Sequence, residues 1–269
     1  MAMNGRKAAL ILLMSCSMFS FAQQSKIGNL TGNARSGKDL YRRYCITCHG
    51  VHGDGAGENA PHVDPKPRDF VKATFKCRST PSGALPTDSD LYDTISRGVY
   101  NSAMPSWRPL TKQQRADLIA YVKTFSTRFQ EEPPVSAVTI PPEPPKSADS
   151  IHRGAELFQS LNCWSCHGKE GRGNGPSALT LTDNKGYPIL PANLTAGSHF
   201  KCGDTSRDLF RDLLTGLDGT PMPSFTEAVK PDQMWDLVHY VQSLNEDTGW
   251  RFFHLAKSDS DPNQQNNSR

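Results

Sequence analysis

The sequence predicts an all-α chain of two tandem helical domains joined by a proline-rich linker, and three observations predict it. The first is a short motif, Cys45-Ile-Thr-Cys48-His49-Gly50, which returns as Cys163-Trp-Ser-Cys166-His167-Gly168. The second is the spacing of its neighbours. Gly37-x-x-Leu40-Tyr41 matches Gly154-x-x-Leu157-Phe158 at an offset of 117, the motif itself repeats at 118, and Asp117-Leu118 with Tyr121-Val122 matches Asp236-Leu237 with Tyr240-Val241 at 119. So steady an offset over separated blocks marks a duplication. The third is periodicity. Apolar residues around the motifs recur at helical spacing, and a βαβ pattern is absent.

Residues 1–22 read as a secretory signal. Arg6 and Lys7 form the charged start, Ala8 to Phe21 the apolar stretch, and Ser20-Phe21-Ala22 a small-x-small cleavage site before Gln23. The expected location is the periplasm. Lipid anchoring at Cys16 is the lesser alternative, because Leu13-Met14-Ser15 is a poor lipobox. The mature chain should contain no transmembrane span, since no later stretch of about eighteen apolar residues exists.

The first domain is expected over residues 35–126. A helix runs from about Gly37 into the motif, followed by a long loop, a short helix near Thr87-Asp88 and a loop around Met104. The closing helix begins at Thr111-Lys-Gln-Gln114, a capping box, with Leu118, Ile119, Val122 and Phe125 on one face. The second domain, residues 152–245, repeats the order. Its short helix starts near Thr205-Ser206, and Met234, Leu237, Val238, Val241 and Leu244 form the closing stripe. Gly37 and Gly154 should let the closing helix cross the first helix closely, with Tyr121 and Tyr240 in the contact. The linker, 127–151, has six prolines in the fifteen residues from Glu131 to Pro145 and should be extended. The polar tail, 246–269, should be disordered from Lys257 onward.

Composition narrows the function. Loss of Arg6 and Lys7 takes the formal charge from +3 to +1, which leaves no electrostatic case for nucleic acid. Hydrophobic content is lean at 36%, with 21 glycines and 20 prolines. Small lean domains need a staple.

The motif supplies one. C-x-x-C-H is the attachment signature of c-type haem: both cysteines form thioethers and the histidine ligates iron. Zinc would need further ligands, and a thioredoxin-like pair would need the βαβ context. Two covalently attached haems are therefore expected, on Cys45 and Cys48 and on Cys163 and Cys166. Each should supply the core of its domain. His49 and His167 ligate through Nε2, with Nδ1 held by a backbone carbonyl.

The second axial ligand decides the chemistry. Met104 and Met222 each precede Pro-Ser-aromatic, and each lies 55 positions after its histidine. A thioether ligand stabilises ferrous iron and raises the potential. The third methionine of the mature chain, Met234, belongs to the helical stripe. His52, His62, His152, His199, His239 and His254 have no matched counterparts and read as solvated or structurally hydrogen-bonded. Glycine runs after each motif (Gly50, Gly53, Gly55 and Gly57; Gly168, Gly171, Gly173 and Gly175) suit a tight path past a haem edge. Arg68 reads either as a propionate ligand or as a surface residue. Cys77 and Cys202, both in Phe-Lys-Cys contexts, are either an inter-domain disulfide or two free thiols.

On C-x-x-C-H-G, the downstream Met-Pro and the glycine/aromatic helix crossing, the chain resembles a tandem di-haem cytochrome c with two class I-type domains. The resemblance implies an exposed haem edge and electron transfer between redox-protein donor and acceptor. Two methionine-closed irons argue against catalysis. The alternatives are a di-haem redox enzyme, of peroxidase or thiosulfate-oxidising type with Cys77 as an unusual ligand, and a fixed cytochrome subunit associated with a membrane oxidoreductase.

Overall fold

The first helix starts at Asn33, whose side chain accepts from the amides of Arg35 and Ser36 and so satisfies donors that a helix start leaves free. The computed structural model describes residues 25–196 and 199–258, with side chains described as far as residue 245. Residues 1–22, expected to be a secretory signal, and Cys16 among them lie outside the described residues, as does the tail beyond Ser258. Ahead of the first helix sits a feature the sequence reading did not anticipate, a hairpin of β1 (Lys26–Ile27) and β2 (Leu30–Thr31). It is tied down where the Ser25 hydroxyl donates to Ala116 O at 2.7 Å.

Helix α1 (Ala34–Tyr44) does not run on into the motif as expected. Cys45, at φ −119°, breaks it, and α2 (Ile46–His49) is a separate turn. Next come α3 (Asp88–Arg97) and α4 (Lys112–Lys123), with capping boxes at Thr87/Asp90 and Thr111/Gln114. The linker is only partly extended. It opens with a single turn, α5 (Arg128–Glu131), held because the Arg128 guanidinium donates to Ala73 O and Gly83 O. It closes at Ser147, whose capping box with Ser150 starts α6 (Ala148–Ser160) four residues ahead of the expected boundary.

The second half then repeats the first. Helix α7 (Trp164–His167) carries the motif, α8 (Ser206–Thr215) has its capping box at Thr205/Asp208, and α9 (Pro231–Ser258) closes the fold. Helix α9 continues where a polar tail was expected from residue 246. The next proline is Pro262, so no proline interrupts the helix, and α9 passes through Gly249.

Each half is organised by one crossing. A Cβ on Gly37 would lie 2.0 Å from Asp117 O, and one on Gly154 would lie 2.1 Å from Asp236 O. Only glycine permits α1 on α4 and α6 on α9 at this separation. The Tyr121 and Tyr240 Cβ atoms stand beside these glycines, and Met234 is buried in the second core.

The halves are joined by a disulfide between Cys77 and Cys202. Beside it the Arg78 side chain is fully buried. Its guanidinium donates to Thr215 O at 2.6 Å, Gly216 O at 3.2 Å and the Asp218 carboxylate at 2.8 Å. Lys185 reaches back to Asp69 at 2.9 Å, and the linker returns where Val138 N donates to Ser79 O at 2.7 Å. Arg78→Ala would remove the donor to three carbonyls, those of Pro81, Thr215 and Gly216, and the cation beside Asp218, which keeps only Ser82 Oγ and Gly83 N. Its expected cost is about 3–5 kcal/mol, read from urea unfolding of the holoprotein. A loss below ~1 kcal/mol would show that the halves hold together without it.

Candidate haem sites

The two motif histidines are held in the same way. His49 Nδ1 lies 3.0 Å from Arg68 O, and His167 Nδ1 lies 2.9 Å from Ala192 O. A carbonyl can only accept, so Nδ1 carries the proton in both rings and Nε2 is left with its lone pair. Burial pulls both imidazoles below their ordinary pKa, keeping them neutral. His49 also stacks on Phe70 at 4.4 Å. The four motif cysteines are free of disulfides. Burial pushes the Cys45 thiol up to about 12 and the Cys163 thiol up to about 11.

The methionine loops are equally matched. Val99 N donates to Met104 O at 3.0 Å, and Leu217 N donates to Met222 O at 3.1 Å. Two residues before each methionine stands a hydroxyl. Ser102 and Thr220 each donate to the carbonyl of Val99 or Leu217 at 2.7 Å and accept from the methionine amide at 3.2 Å. Ser106 and Ser224 tie the far side of the loop to Ser96 O and Leu214 O. With proline next in sequence, each sulfur is presented by a loop with little freedom left.

In the first half these pieces face one cavity. Cys45, Cys48, His49 and Met104 all line it, among walls that include Phe70, Phe75, Leu91, Ile95, Trp107, Ile119 and Val122. Trp107 Nε1 is buried there without a hydrogen-bond partner among the described residues, a donor free to meet an acceptor on whatever fills the space. In the second half Cys163, Trp164 and Met222 pack against a single core containing Phe158, Phe210 and Leu237. The donor set (paired thiols, neutral imidazole, thioether, apolar walls) fits covalently attached haem c.

Comparison with known proteins agrees. Residues 151–245 match the Cytochrome c family, and residues 32–122 match cytochrome C oxidase, cbb3-type, subunit III. A chain of the reducing HAO-like protein complex of Kuenenia stuttgartiensis is 43% identical, with a TM-score of 0.77; the match covers 79% of this chain and 96% of that one. The chain belongs to the cytochrome c family. Two further relatives of this tandem cytochrome c are more distant. The cytochrome bc1 complex cytochrome c subunit of Corynebacterium diphtheriae is 26% identical over 82% of this chain and 71% of that protein. The cbb3-type cytochrome c oxidase subunit CcoP of Helicobacter pylori (strain 52) is 24% identical over 77% of this chain and 57% of that protein.

Other histidines of the cytochrome are engaged elsewhere. His239 is fully buried against Ser150 Oγ at 2.9 Å. His199 stacks on Tyr100 at 4.2 Å and pairs with Asp204, while His52 and His62 are exposed. Among the described residues no helix is long and apolar enough to cross a membrane.

The glycine runs depart slightly from expectation. Gly57 and Gly175 lack positive φ; they are small because a Cβ would lie 2.4 Å and 2.3 Å from the carbonyls of Thr47 and Ser165 inside the motifs. Sequence reasoning missed Ser102 and Thr220, although a hydroxyl two positions before each methionine was a repeated and readable signal. Arg78 carried no such signal, because Gly203 stands at the matching place after Cys202.

Proposed function

We propose that this tandem cytochrome c is an exported di-haem electron-transfer subunit whose two units, 35–126 and 152–245, arose by duplication. One haem is attached at Cys45 and Cys48 with His49 and Met104 as axial ligands; the other is attached at Cys163 and Cys166 with His167 and Met222. The observation that carries this reading is the twinned geometry. Both halves anchor the imidazole on a backbone carbonyl and the methionine loop on a hydroxyl. When bound, haem iron supplies one-electron chemistry. The protein orients each imidazole through Nδ1, presents each sulfur from a tied loop, and keeps water out with the apolar wall. Two sites closed by methionine favour a conduit over an enzyme.

Residues 1–22 would direct the chain to the periplasm, where haem is attached. There it would pass electrons between a donor and an acceptor redox protein, associated with a membrane oxidoreductase. The subunit role is supported by the relatives, which are named as parts of bc1, cbb3 and HAO-like complexes.

A redox titration of the holoprotein tests the assignment. Two low-spin haems are expected, each with a methionine-to-iron charge-transfer band. Met104→Ala and Met222→Ala should each abolish that band in one haem and lower its potential. An unchanged spectrum in both variants would overturn the ligand assignment.

A further inference from the structure

Three cations converge on the first half's cavity, and two come from the repeated Phe-Lys-Cys segments. Arg68, Lys76 and Lys201 all line it. Lys201 arrives from the second half, next to Cys202, and the disulfide to Cys77 fixes that approach. Arg68 reaches the other way: a Cβ on Gly219 would lie 3.2 Å from its Nη1.

None of the three forms an ion pair among the described residues. Asp64 lies near Lys76 and Lys201 and Asp183 near Arg68 and Lys76, but neither carboxylate comes within ion-pair distance of the three. Asp69 is held by Lys185 at 2.9 Å and Asp218 by Arg78 at 2.8 Å, while Asp183 accepts from the amides of Lys185 and Tyr187 at 2.8 and 3.0 Å. Lys201 Nζ donates to Asn101 O at 2.9 Å. Burial, with Arg68 and Lys201 nearby, pulls Lys76 down to about 8. Desolvated cations without a directly paired anion are costly, so the cluster suits an anion placed among them.

Among the described residues the second half does not repeat this arrangement. The residue whose carbonyl anchors its imidazole is Ala192, where the first half has Arg68. Its Phe-Lys-Cys lysine is Lys201, which is committed to the first cavity.

We propose that Arg68, Lys76 and Lys201 hold the carboxylate-bearing edge of the first half's haem, with Lys201 acting from the other domain, and that this makes the first haem the electron's resting site. The proposal rests on the di-haem reading. Positive charge near an iron favours the state with one positive charge fewer, the ferrous one. With both haems bound, these three side chains would favour an electron on the first iron: the second would go from ferrous to ferric as the first went from ferric to ferrous.

The test is a potentiometric titration of the holoprotein beside Lys201→Gln and Lys76→Gln, with Met104→Ala marking the first haem's wave. Two separated one-electron waves are expected, the higher belonging to the first haem. Each lysine variant should shift that wave to lower potential and leave the other in place. Should Lys201→Gln fail to fold, Lys76→Gln decides. Coincident waves, an unmoved higher wave, or equal shifts of both would overturn the proposal. Failure of the di-haem reading is distinguishable, because it appears beforehand as a mass inconsistent with two haems per chain.

Discussion

Replacing Cys45 and Cys48 together with alanine is expected to lower the mass of the mature protein by one haem and to unfold the first half while the second survives. The packing explains why. The first half has two small cores, Tyr41 with Leu110, Leu118 and Val122, and Phe75 with Ala73, Leu91 and Ile119. The cavity is walled by members of both. Left empty, its volume of about 170 Å³ would cost about 4 kcal/mol at ~24 cal/mol per Å³. That is a large part of the roughly 5–15 kcal/mol that holds a domain together. The second half keeps one continuous core running from Phe158 through Phe210 to Val241. Intact mass and a far-UV circular dichroism melt would show one haem remaining and a large share of the helical signal gone. A variant with one haem and undiminished helicity would contradict the argument.

The second large effect is expected at Gly154→Val. The new side chain must occupy the space of Asp236 O, 2.1 Å from where its Cβ would stand, so α6 and α9 have to part. Overpacking costs about 1–3 kcal/mol where neighbours can yield. Here the obstacle is helix backbone, which does not yield. The loss should exceed ~3 kcal/mol. It should also reduce haem incorporation in the second half, because α6 leads directly into Cys163 and His167. Gly37→Val should act likewise on the first half. Denaturant midpoints and haem content per chain provide the measurement. A midpoint matching the parent would mean that the crossing does not set the geometry.

What could be read in the sequence was the chemistry held within one half. The histidines, the methionines, the crossing glycines and the boxes at Thr87, Thr111 and Thr205 declare themselves through residue type and local spacing. Met234 and His239 could be set aside as structural for the same reason, and both are buried in the second half's packing. What escaped depends on where one half meets the other. Arg78 donates to carbonyls 137 and 138 positions away, and Lys201 lines a cavity whose other named walls lie in the first half; no local pattern encodes either. Arg68 stayed ambiguous because its carbonyl and its guanidinium serve different neighbours. The second domain was expected to end at residue 245 because its apolar stripe stops at Leu244, whereas α9 runs on to Ser258.

The Cys77–Cys202 bridge also bears on how the molecule is made. Six cysteines between residues 45 and 202 divide into two fates: on the proposed assignment four would have to stay reduced for haem attachment, and two are oxidised. Thiolates exchange readily with disulfides, so early oxidation would put the four at risk. Chain order reduces the danger. Cys202 follows all four attachment cysteines, so the correct bridge can close only after both capture motifs have emerged. The clasp is thereby closed by the last of the six to emerge, which keeps its partner Cys77 waiting until both motifs are present.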